Sequence, residues 1–115
     1  MRSRWADAGD RGSVTAEFAV ALPAVALVLA ACLAAVQLVT AQVRLTDAAA
    51  DAARALGRGE AAASAAALVE RMVGGAALAE RREGEFVCAT VTAGGGGLFA
   101  AVELRADSCA LAGGL

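Results

Sequence analysis

The chain has 115 residues, of which 34 are Ala and 13 Gly, with ten Arg, twelve acids and no Lys, His or Tyr. An apolar fraction of 59% excludes disorder, and an aromatic fraction of 3% means that any core is built from small side chains. The length excludes a conventional two-domain enzyme. Without His there is neither an imidazole base nor a His metal ligand, and a net charge of −2 supplies no basic field for nucleic acid.

Residues 1–12, MRSRWADAGDRG, carry Arg2, Arg4 and Arg11 against Asp7 and Asp10. This excess of Arg favours keeping that end in the cytoplasm and the C-terminus outside. From Phe18 to Val36 follow 19 residues without a charge. As a helix they extend roughly 28 Å, close to the hydrocarbon thickness of a bilayer. Burial inside a soluble protein would need a comparably apolar partner, and the rest of the chain has none. A membrane span at about 18–39 is expected.

The helical signal continues past the span. Leu45, Ala49, Ala52 and Leu56 recur on one face, and Arg44, Asp47, Asp51, Arg54 and Arg58 on nearly the opposite one. One helix within 13–57, from about Val14 to Leu56 and roughly 64 Å long, is expected, half in lipid and half beyond it. Gly57 and Gly59 supply its stop. Pro23 removes one helical N–H, so a kink or a locally melted turn is expected there.

A second helix is expected from Glu60 to Val73, closed by Gly74-Gly75 and packed on the first. The period then changes to two. Leu78–Arg82 and Glu85–Thr92 read as a hairpin, with Glu83-Gly84 as a type I′ turn. Gly94–Gly97 lacks the Lys-Ser/Thr ending of a phosphate loop and reads as a flexible connection. Leu98–Arg105 reads as a third strand. The fold class is therefore α+β: a long N-terminal helix, then a small extracytoplasmic head over 58–115.

Cys32 lies inside the span, whereas Cys88 and Cys109 lie in the head, 21 positions apart. In an extracytoplasmic head the latter two suit a disulfide, with two reduced core cysteines as the alternative. Two cysteines without His do not make a metal site. Ser64 and Ser108 have no His to activate them. No catalytic residue, metal site or cofactor is expected, and no enzyme.

The junction before the span reads Arg-Gly-Ser-Val-Thr-Ala-Glu-Phe over 11–18. Glu17 stands at the mouth of an uncharged helix, where a carboxylate is costly in lipid unless paired. A bland account places it in the headgroup layer, favoured by the helix dipole. Gly12, Glu at the fifth place after it and a long apolar helix resemble the leader of type IV pilins. The stretch RGSVTAEFAVALPAVALVL, with QVRLTDAAADAARALGRGE after it, resembles TadE-like proteins, the pseudopilins of tight-adherence (Flp) pili. The chain departs from the pilin pattern in its short leader and in Ser, rather than a bulky apolar residue, at position 13.

That resemblance implies a minor pilin or pseudopilin of a type IVb pilus, with residues 1–12 as a cytoplasmic leader. Prepilin peptidase would cut between Gly12 and Ser13, and the new Ser13 amine would pair with Glu17 of a neighbouring subunit. The implied partners are the peptidase, other pilin and TadE-like subunits, the pilus assembly platform and membrane lipid, with no nucleic acid. The subunit would sit in the cytoplasmic membrane and pass into an extracellular pilus on assembly. Ala30/Ala34 and Ala31/Ala35 stand at small-xxx-small spacing for helix packing. Two rivals remain. Leu29-Ala30-Ala31-Cys32 fits a lipobox, giving a lipoprotein cut before Cys32, and an uncleaved single-span membrane partner would leave Gly12 and Glu17 as coincidences.

Overall fold

A computed structural model describes the backbone of residues 2–113 and the side chains from Gly12 to Gly113. The chain divides into two compact units, Met1–Val36 and Gln37–Leu115. Helix α1, Arg2–Gly57, supplies all of the described part of the first unit and opens the second. It therefore begins well before the expected start near Val14. The Arg and Ala of residues 2–11 favour helix, and Gly9 and Gly12 weaken it without ending it. The helix is also unbroken at Pro23, so no melted turn is present. A proline needs no break when only one N–H is lost.

From Gly12 to Leu33 every residue of α1 is exposed, including Phe18, Leu27 and Leu33. No other element within this unit covers them. This is the one helix among the described residues long and apolar enough to cross a membrane. It is compatible with single-pass anchoring.

The second unit is built on the last turns of α1. After them come α2 (Ala62–Met72), β1 (Ala77–Glu83), β2 (Phe86–Gly94), a 3₁₀ turn (Gly97–Phe99) and β3 (Glu103–Leu111). The strands form an antiparallel meander in the order β1-β2-β3. One face of the sheet packs on the helices. Leu45, Ala48, Ala49, Ala52, Ala53, Ala55 and Leu56 of α1 are buried there with Ala65 and Val69 of α2. Val87, Ala89, Val91 and Ala93 of β2 and Ala106 of β3 complete the core. The alternation along β2 follows from the pleat, which turns every second side chain to the helices. The buried face of α1 is wider than its Leu-marked stripe, because alanine on both flanks lets backbones approach closely.

The stop of α1 is a full Schellman motif. Gly59, at φ 89°, donates to the Leu56 carbonyl, and the Glu60 amide donates to the Ala55 carbonyl. Helix α2 ends differently: the Glu70 carboxylate accepts from the Gly75 amide at 3.0 and 3.1 Å.

Two expectations for the sheet need correction. Glu83 pairs with Phe86, so the turn residues are Gly84-Glu85 rather than Glu83-Gly84. Only Gly84 has a positive φ, which fits a type II′ turn and not type I′. The third strand is Glu103–Leu111, not Leu98–Arg105. Its inward positions are Leu104, Ala106, Ser108 and Ala110, too small or too polar to show a hydrophobic alternation in the sequence. The apolar Leu98 that suggested a strand lies in the 3₁₀ turn instead, and Gly94–Gly97 is partly structured by it.

Candidate functional site: the N-terminal helix

Within the first unit, Ser13, Ala16, Glu17, Val20, Ala21 and Ala24 line one shallow, open groove along α1. The spacing explains it, since steps of three and four return to the same face of a helix. Glu17 is the single ionisable side chain between Gly12 and Val43 apart from the Cys32 thiol. Its neighbours on this face are mostly alanine, so another helix can approach it closely. Ser13 stands one turn before Glu17, and a Cβ added at Gly12 would meet nothing within 4 Å. Pro23 lies within the groove's length on α1 but does not line it. Cys32 is exposed and carries no disulfide.

The second unit presents a different surface. On the sheet face away from the helices, Cys88 and Cys109 stand opposite each other in register and their sulfurs are bonded. The next rungs are polar. Thr90 stands opposite Asp107, and its hydroxyl donates to the Asp107 carboxylate. Arg105 Nε lies 3.4 Å from the same carboxylate. The Thr90 hydrogen bond, with the Arg105 charge beside it, holds the Asp107 carboxyl below its ordinary pKa. Arg81 pairs with Glu83 at 2.7 Å on the neighbouring strand. These groups are solvated, and paired charges of this kind describe a wet face rather than a reactive centre. Among the described residues no group of three or more His, Cys, Asp or Glu is placed to hold a metal.

Sequence reasoning missed two residues that position the head on α1. Gln42 Nε2 donates to the Arg105 carbonyl at 3.0 Å, and Gly57 lies against the end of β3. Gln42 stands among other polar residues, Gln37, Thr40 and Arg44, and nothing local singled it out. Gly57 had read only as a stop.

Residues 12–54 match the family model described as TadE-like protein. Over that segment the chain is TadE-like. The match begins at Gly12, takes in Glu17 and the apolar helix, and ends three residues before α1 does. The match is consistent with the TadE-like family of tight-adherence pilus proteins. The chain is also 47% identical over 78 residues to a Mycobacterium tuberculosis (strain ATCC 25618 / H37Rv) protein named apoptosis inhibitor Rv3655c. That alignment covers 67% of this chain and 62% of the relative, so the chain spans under two thirds of the relative's length. No solved structure matches the chain.

Proposed function

We propose that the protein is a minor pilin or pseudopilin of a tight-adherence pilus, trimmed between Gly12 and Ser13 and assembled through α1. The observation that carries this reading is the placement of Gly12, Ser13 and Glu17 just before the uncharged, exposed stretch of α1 and inside the TadE-like match. Trimming creates an ammonium group at Ser13. A carboxylate on an alanine-lined face then has a cation to meet when a second helix packs there. Such a pair in a low-dielectric bundle offsets the desolvation of both charges and fixes the register between helices. In this reading residues 1–12 remain on the cytoplasmic side and the unit that begins at Gln37 lies outside.

Pro23 has a role in the same scheme. The Ala19 carbonyl, four residues earlier, has no helical donor at Pro23, so the helix can bend there where neighbouring subunits need it to. The disulfide between Cys88 and Cys109 would then serve a small head in an oxidising compartment.

Co-expression with a prepilin peptidase tests the reading. The expected result is a product lacking residues 1–12, and no trimming when Gly12→Leu replaces the residue before the cut. Trimming that survives Gly12→Leu, or lipid attachment lost in Cys32→Ser, would overturn it. A Glu17→Gln variant is expected to be trimmed normally but to be lost from assembled pili.

A further inference from the structure

At the end of the second unit where α1 enters it, a loop carries large apolar side chains into solvent. Leu98 is 91% exposed, and Val102 is exposed as well. Nothing between Gly94 and Val102 carries a charge. The loop is not loose. The Gly95 amide donates to the carbonyls of Phe99 at 3.0 Å and Val102 at 2.9 Å, and Phe99 donates back to Gly96 at 2.9 Å. These bonds hold Leu98 outward instead of letting it fold onto the sheet.

The position of this tip along α1 names its surroundings. A Cβ at Gly95 would lie 3.4 Å from Leu38 Cδ1, so the loop stands level with the first residues of α1 in this unit. Val39 and Val43 on α1 are exposed, and the chain just before them is the uncharged run Phe18–Val36. Charge begins at the rim. Arg44 shares a depression with Gly95 and Gly96, Glu103 follows Val102, and the Glu70 carboxylate is engaged by Gly75. An apolar tip bordered by an Arg and lying beside Leu38, two residues past the end of the uncharged run, has the chemistry of a segment that sits in the acyl–headgroup boundary.

We propose that the Gly95–Val102 loop dips into the surface of the bilayer that α1 crosses. This rests on the membrane reading of α1. It also sets a condition for assembly, since extracting the subunit must free Leu98 as well as the helix.

The test uses the full chain, with Trp5→Phe removing its one Trp, in phosphatidylcholine–phosphatidylglycerol vesicles containing lipids brominated in the upper part of their acyl chains. Leu98→Trp is expected to emit at blue-shifted wavelength and to lose emission to bromolipid about as strongly as Leu33→Trp within the span. Phe86→Trp, at the other end of β2 and about 27 Å away along the strand, is expected to be unquenched. Quenching of Leu33→Trp without quenching of Leu98→Trp would overturn the loop proposal alone. No quenching of Leu33→Trp would overturn the membrane reading and the proposal with it. Emission from Leu98→Trp that responds to protein density and not to bromolipid would assign the loop to contacts between subunits instead, which also contradicts the proposal.

Discussion

The amide of Gly113 donates to the carbonyl of Gly57 at 2.8 Å, tying the chain just beyond β3 to the last residue of α1. The approach is close because position 57 has no side chain. A Cβ there would meet the Leu111 carbonyl oxygen at 2.8 Å, a backbone atom that cannot swing away. At the other end of β3, Gln42 holds the Arg105 carbonyl. Two residues of α1, fifteen apart, thus anchor the two ends of one edge strand.

Gly57→Ala is therefore expected to destabilise the head despite its helical position. Alanine gains about 1 kcal/mol over glycine in a helix interior, but a backbone clash of this kind costs roughly 1–3 kcal/mol. Overpacking is expected to win, and more clearly for Gly57→Val. Thermal unfolding of the full chain in detergent, followed by circular dichroism, checks it. A raised melting temperature would contradict the packing described.

Much of this architecture was legible in the sequence, and its failures have a common cause. The long helix, its Gly stop and the first hairpin followed from charge periodicity, Gly59 and the Glu-Gly signal near residue 84. The third strand was misplaced because Ala106, Ser108 and Ala110 give no size contrast between its faces, while Leu98 and Val102 imitate one. The roles of Gln42 and Gly57 depend on contacts with residues more than fifty positions away, which no local pattern encodes. At the candidate site the family resemblance reached Gly12, Ser13 and Glu17. The groove that Ser13 and Glu17 share became visible only with helical geometry at those positions.

The disulfide should make the cysteines unequal. In the oxidised chain one equivalent of a thiol reagent is expected to attach, at Cys32, and three after reduction and unfolding. Intact mass before and after reduction reads both numbers. Closing a loop of this length contributes about 3 kcal/mol in the chain-entropy model, so Cys88→Ala with Cys109→Ala is expected to lower stability by an amount of that order. Three equivalents on the untreated chain would contradict an oxidised pair.

Asp107 gives the head a specific acid sensitivity. Its folded pKa lies below the ordinary value of 3.8, chiefly through the Thr90 hydroxyl and then the Arg105 charge. A depressed carboxylate stabilises the fold above its unfolded pKa, and that contribution is lost as pH falls through the folded value. The melting temperature is expected to drop in acid more steeply for the native chain than for Asp107→Asn or Thr90→Val. Identical acid profiles for all three would show that the pair carries no linkage.

Glu17 should matter for assembly and not for the head. Glu17→Gln keeps the size and hydrogen-bonding capacity of the side chain but cannot pair with an ammonium group. Head unfolding is expected to be unchanged, because the residue lies in the separate first unit. Recovery of the subunit in sheared pili is expected to fall at least tenfold, a factor equivalent to about 1.4 kcal/mol of lost pairing. Normal recovery would leave Glu17 as a headgroup residue only.

Where the mature chain begins decides between trimming at Gly12 and its rivals. Intact mass and N-terminal sequencing of the protein from its native membrane fraction read this directly. The account requires a chain starting at Ser13 with a free amine, and the Glu17 pairing then has its cation. A lipid-modified start at Cys32, or an intact Met1 in cells with an active prepilin peptidase, would contradict it.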